Sequence, residues 1–283
     1  MSQPDEMTPA AWAAIGFEGV LILCGLWLAW RLAASPAARA KREVRLAEWR
    51  ASPVEFASFL CFGLVGSTAL SGVAGLVARH VALSPEAATI AGSAVMEGGF
   101  LLGLAAFWVM TPARVRRGPL LPSLVPALRG GLATFLIALP LVFAVSSAWE
   151  FFLNKMGLPD EKQQLVSILE NTSSGALRWL FVAVATFLVP AAEELLFRAG
   201  LFRYLRTRVP RWIAIGSTSA LFGALHVAWG DHMAGLPSLV PLIVLAVVFC
   251  LAYERTGMIG TTIAAHACFN LNTMFLVVAG FGS

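Results

Sequence analysis

Two adjacent carboxylates and an arginine stand inside one hydrophobic run, Glu193-Glu194-Leu195-Leu196-Phe197-Arg198. An ionisable side chain in a membrane helix is unfavourable by roughly 2.5–3.5 kcal/mol, so each needs a physical reason to be there. Glu194 and Arg198 are four residues apart, share a helix face and can neutralise one another. Glu193 points about 100° away and lacks that partner, which calls for a polar cavity among packed helices. Two later apolar runs carry Phe222-Gly223-Ala224-Leu225-His226 and His266-Ala267-Cys268-Phe269-Asn270. His266 and Asn270 again face the same direction. A lone membrane histidine is ordinarily explained by a hydrogen bond between helices. Two histidines, an unpaired glutamate and a face-matched asparagine on three helices point instead to one shared site.

A glutamate in low-dielectric surroundings binds a proton more readily than one in water, and so accepts it from a water molecule. A neutral histidine beside it can share in activating or orienting that water. A second histidine with an amide donor can stabilise the oxyanion of a tetrahedral intermediate. The set suits hydrolysis of an amide bond by activated water. The nearest membrane hydroxyls, Ser217 and Ser219, have no matching base and read as packing groups. A covalent serine mechanism is therefore disfavoured.

The elements that must position these residues follow from composition. The chain has 283 residues, of which 58% are hydrophobic and only 13% charged. Its mean hydropathy is +0.78. Soluble domains run near 45–50% apolar and about 25% charged, so too little polar surface exists here to coat a soluble globule. Disorder, a disulfide-stapled secreted module and a nucleic-acid-binding domain are all poor fits. Crossing roughly 30 Å of hydrocarbon takes about 20 apolar residues. Eight runs qualify, at about 11–33, 54–78, 88–111, 130–152, 178–200, 212–230, 237–253 and 258–280. The expected fold is an all-α polytopic membrane protein of about eight transmembrane helices with an intramembrane catalytic cavity. The first run does not read as a cleaved signal, because Asp5 and Glu6 precede it and its apolar stretch is too long.

Charge sets the expected orientation. Arg31, Arg39, Lys41, Arg42, Arg45 and Arg50 fall on one side of the membrane, with Arg114, Arg116, Arg117 and Arg129, then Arg203, Arg206, Arg208 and Arg211, then Arg255. The other side holds Arg79, Lys155, Lys162 and Arg178 among Asp5, Glu6, Glu86, Asp160, Glu161, Glu170 and Asp231. The basic loops are thus expected to be cytoplasmic, with both termini outside. Trp149, Trp179, Trp212 and Trp229 fall at expected span ends, where an aromatic belt would lie. The 34–53 linker suggests a surface helix, and Leu165, Ile168 and Leu169 suggest a short interfacial helix in the 154–177 connection. Glu18 and Glu97 stand isolated in their helices and read as hydrogen-bonded to a neighbouring helix or as neutral acids, while Glu55 and Glu150 sit near span ends. Cys24, Cys61, Cys250 and Cys268 lie inside spans without CxxC spacing and read as small apolar residues.

At these residues the sequence resembles the CPBP intramembrane endopeptidases, the family of type II CAAX prenyl proteases and their bacterial relatives. The family's signature is a diglutamate followed by arginine, then Phe-x-x-x-His, then His-x-x-x-Asn or Asp. The matching residues are Glu193, Glu194 and Arg198; Phe222 and His226; and His266 and Asn270. The resemblance covers about residues 140–280, dividing the chain into a divergent N-terminal membrane region at 1–129 and a protease-like membrane domain at 130–283. It implies Glu193 as general base on the attacking water, aided by His226, with His266 and Asn270 as the oxyanion site. Glu194 and Arg198 would support the site through their ion pair, alongside Phe222. On straight helices Glu193 and His266 lie near the cytoplasmic side and His226 farther out, a mismatch that a tilted or later-starting sixth span would remove.

No cofactor is favoured. Zinc held by Glu193, His226 and His266 is the alternative, with water as fourth ligand. Against it stand the absence of an HExxH helix and the scatter of the three ligands over three helices. Two other classes compete: a non-catalytic membrane scaffold or bacteriocin-immunity-type protein, and a proton-coupled transporter, which should show two related halves that are not seen here. The expected partners are the lipid bilayer and a peptide or lipid-anchored protein substrate, with no nucleic acid. The expected location is a bacterial-type inner or plasma membrane. Substrate identity, prenylation and oligomeric state are not legible.

Overall fold

The computed structural model describes residues 9–40, 43–112, 115, 124–158, 172, 174–229 and 233–281. Lys41, Arg42, Arg114, Arg116, Arg117, Lys162, the acids Asp5, Glu6, Asp160, Glu161, Glu170 and Asp231, and the expected interfacial helix at Leu165, Ile168 and Leu169 lie outside these residues. The described residues are mostly helical, with no strand among them. The helices are α1 (Pro9–Ala29), α2 (Pro36–Ala40), α3 (Pro53–Ala78), α4 (Pro85–Met110), α5 (Leu124–Met156), α6 (Gly175–Arg206), α7 (Arg211–Ala224), α8 (Leu236–Thr256) and α9 (Ile259–Leu276).

Seven of these helices are long and apolar enough to cross a membrane, and the chain is an integral, multi-pass membrane protein. The sequence suggested eight. The difference is α7, a helix of 14 residues that stops at Ala224 instead of running on to 230. At 1.5 Å per residue it is only about 21 Å long. It lies antiparallel to α8: Arg211 at its start pairs with Glu254 near the end of α8 at 2.6 Å, while Gly223 at its other end packs on Leu239 and Ile243.

Local signals explain the helix ends. Ser52 caps α3, and its backbone N–H donates to Glu55 Oε2 at 2.7 Å, completing a capping box. Ser84 caps α4 in the same way, without the reciprocal acid. Glu55 therefore has a structural use at a helix terminus. The α3–α4 pair is drawn together by small residues, since a Cβ at Gly103 would collide with the Phe62 carbonyl. Ser67 adds a hydrogen bond from α3 to the Met96 carbonyl at 3.0 Å. Phe135, Leu139, Leu245, Phe249 and Phe269 knit α5, α8 and α9 into one apolar cluster. Leu23, Val65, Val109, Trp179 and Phe187 face outward, as lipid-facing positions should.

The linker before α3 differs from the expected surface helix. Helix ends with α2, and residues 43–52 form a strap without regular secondary structure. The amides of Arg45 and Leu46 donate to the Glu254 carbonyl at 3.0 and 3.1 Å. Arg203 donates to the Ala47 carbonyl at 3.0 Å, and Arg208 to that of Ala51. Trp49 is buried among Phe56, Phe59 and Tyr204, with its indole N–H donating to the Val115 carbonyl at 3.0 Å. Backbone carbonyls satisfied by arginines from α6 and its following turn hold the strap down, which a free amphipathic helix could not match.

Candidate active site

Glu193 and Glu194 come from the middle of α6, which is not a uniform α-helix. It widens to π geometry at Val184–Leu188, returns to α over Val189–Glu194, and widens again at Leu195–Phe202. Pro190 supplies a cause for the first π segment. A proline lacks the N–H for an intrahelical bond and its ring crowds the carbonyl four residues back, and a locally wider turn relieves both. Such π segments recur at functional sites because they re-aim side chains without breaking the helix.

The i,i+4 pairing expected from spacing is present. Arg198 Nη1 donates to Glu194 Oε1 at 2.8 Å, and both side chains are 0% exposed. Phe222 and Phe249 cover the guanidinium at 4.5 and 5.2 Å, a cation–π arrangement suited to a buried charge. Phe222 is thereby placed as a wall of the site. Phe249 was not legible in the sequence, since nothing in its spacing distinguishes it from the other apolar residues of α8.

His226 reaches the site because α7 ends early. Helix stops at Ala224 and His226 sits in the turn that follows. The left-handed Gly235, φ 83°, closes that turn, and a Cβ there would strike the His226 carbonyl. Early termination, rather than a tilt or a late start, resolves the depth mismatch. His226 Nδ1 lies 2.7 Å from the Phe222 carbonyl. A carbonyl only accepts, so Nδ1 carries the proton, and in the neutral ring Nε2 presents a lone pair toward Glu193.

The three helices converge on the Glu193 carboxylate. His226 Nε2 stands 3.7 Å from Oε1, and His266 Nε2 stands 3.7 Å from Oε2. These are too long for direct hydrogen bonds and suit a water between the groups. Glu193 Oε2 is shielded and has no hydrogen-bond partner among the described residues. The site is graded in access: Glu193 and His226 are 21% and 29% exposed and His266 only 6%. His266 Nδ1 lies 3.0 Å from Glu194 Oε1, tying the imidazole to the sealed ion pair.

Asn270 stands one turn beyond His266, but its amide donates to the Ala185 carbonyl at 2.7 Å. One of its two N–H groups is therefore committed to α6. Glu97, read from sequence as an isolated acid, lies on α4 within electrostatic range of Glu193. Its presence in an apolar run was the signal; its proximity was not legible. Among the described residues, no group of three His, Cys, Asp or Glu is arranged to hold a metal ion. A cavity of about 280 Å³ lies elsewhere, beside the strap, lined by Leu46, Glu48, Arg203, Arg206, Thr207 and Glu254.

Residues 175–272 match the family model described as Rce1-like, type II CAAX prenyl endopeptidase Rce1-like. The match is consistent with the CPBP family. The matched segment opens with α6, ends within α9 and contains Glu193, Glu194, Arg198, Phe222, His226, His266 and Asn270. At family level it supports a CAAX-type intramembrane protease. No curated protein and no solved structure matches the chain.

Proposed function

We propose that the chain is a membrane-embedded endopeptidase that cleaves peptide bonds near the bilayer by water activated on Glu193. The observation that carries this reading is a partly accessible carboxylate flanked by two imidazole nitrogens at 3.7 Å each. A water bridging Glu193 and His226 Nε2 would give its proton to the carboxylate as its oxygen attacks the peptide carbonyl. The carboxylic acid so formed would return that proton to the leaving amine. His266 donates to the developing oxyanion only from a doubly protonated ring, whose charge the Glu194 carboxylate balances. The second amide N–H of Asn270 would add a donor. Glu194 and Arg198 act by positioning His266.

Substrates of this reading are peptides or lipid-anchored protein tails presented at the membrane, and the basic loops face the cytoplasm. The mechanism uses only side chains of the chain. Cleavage of a fluorogenic membrane-anchored peptide by the purified protein, before and after exhaustive chelation, tests it. Activity is expected to survive chelation. Loss on chelation with recovery on zinc would replace the metal-free mechanism.

A further inference from the structure

Behind the Glu193 face, the Glu194–Arg198 pair presents a second set of polar atoms. Arg198 uses Nη1 on Glu194 and its faces on Phe222 and Phe249, leaving an edge. On that edge Nε and Nη2 are buried with no hydrogen-bond partner among the described residues. The same holds for Glu194 Oε2, Thr218 Oγ1 and Ser219 Oγ. Thr218 and Ser219 are both 0% exposed. They precede Phe222 on α7 by four and three residues, which puts all three on one helix face. The Cys250 thiol of α8, also 0% exposed, is within weak hydrogen-bonding reach of both Arg198 and Ser219 and can serve only part of their capacity. A guanidinium edge, the Ser219 hydroxyl and a thiol thus share one buried region between α6, α7 and α8, with the buried Thr218 hydroxyl on the same face of α7.

Buried polar groups in folded proteins are almost always paired with protein or with bound water. Here two N–H groups need acceptors, and two hydroxyls can both accept and donate. A buried water needs two to four polar partners, and this edge supplies them. We infer that bound solvent bridges the Arg198 edge to the Thr218 and Ser219 hydroxyls, and so holds the Glu194–Arg198 pair and His266 in register. The water accepts from the arginine and donates to the hydroxyl oxygens. Thr218 and Ser219 then act as positioning residues rather than as packing hydroxyls. The functional consequence rests on the proposed protease reading; the solvent site does not.

The test is a pair of substitutions in the full-length protein. Thr218→Val keeps the shape and deletes the hydroxyl, whereas Thr218→Ser keeps the hydroxyl. If solvent is bound, Thr218→Val lowers the melting temperature by about 2–4 °C and lowers kcat several-fold at unchanged KM, while Thr218→Ser retains kcat. If the hydroxyl binds nothing, deleting it removes an unrewarded desolvation cost, and Thr218→Val melts at or above the parent. That result overturns the inference, as does an unchanged kcat in an active enzyme. A melting temperature that climbs with chloride at constant ionic strength would also overturn it, by making the ligand an anion. Should the parent show no proteolysis at all, the protease reading fails, and the order of melting temperatures alone decides the solvent site.

Discussion

α1 and α6 each carry a glutamate into an apolar helix, and they accommodate it differently. Glu18 on α1 receives one hydrogen bond, from the Asn272 amide of α9 at 2.9 Å, with Phe17 packed edge-on against Phe275 beside it. Glu193 on α6 receives no such bond among the described residues and instead faces two imidazoles at 3.7 Å. The first carboxylate ties two helices together, as the isolated-acid reading of the sequence anticipated. On the proposed reading, the second keeps its hydrogen-bonding capacity for the attacking water. Both are membrane glutamates by sequence, so the distinction between glue and chemistry lies in what surrounds them.

The same substitution in both helices would break or sharpen this contrast. Glu193→Gln is nearly isosteric, and should lower the cleavage rate by about 10²–10⁴-fold with little change in melting temperature. Retained proteolysis in that variant would remove Glu193 as general base. Arg198→Met should be the most damaging change to stability, about 3–5 kcal/mol, because it strands the Glu194 carboxylate in a sealed site; thermal unfolding in detergent reads it. His226→Ala should lower kcat by about 10²-fold while leaving the melting temperature near that of the parent, since its side chain is 29% exposed. Glu18→Gln should matter least. An amide can still pair with Asn272, so stability should shift by less than about 1 kcal/mol and cleavage should be unchanged. A large activity loss in Glu18→Gln would erase the distinction between the two glutamates.

The contrast extends to the helix pairs. α3 and α4 meet through glycines and through side-chain hydroxyls that bond nearby carbonyls, as Thr68 does to Leu64 at 2.9 Å. These bonds stay within the pair. α6 and α9 also join polar atoms across helices, as with His266 on Glu194, 72 residues away, and Asn270 on Ala185, 85 residues away. The match to the Rce1-like model begins at residue 175, with α6.

By itself the sequence determined whatever depends on short-range periodicity and composition. Long apolar runs dictate membrane helices, because an unpaired backbone is intolerable in hydrocarbon. Four-residue spacing dictates the Glu194–Arg198 pair and the shared face of His266 and Asn270. Tertiary structure alone decided that α7 stops at Ala224 and so lifts His226 to Glu193, that Phe249 covers Arg198, that residues 43–52 form a strap, and that Glu97 approaches the site. Each of these is set by packing between segments far apart in the chain. Helical periodicity fixes which way a side chain points, but not what it meets there.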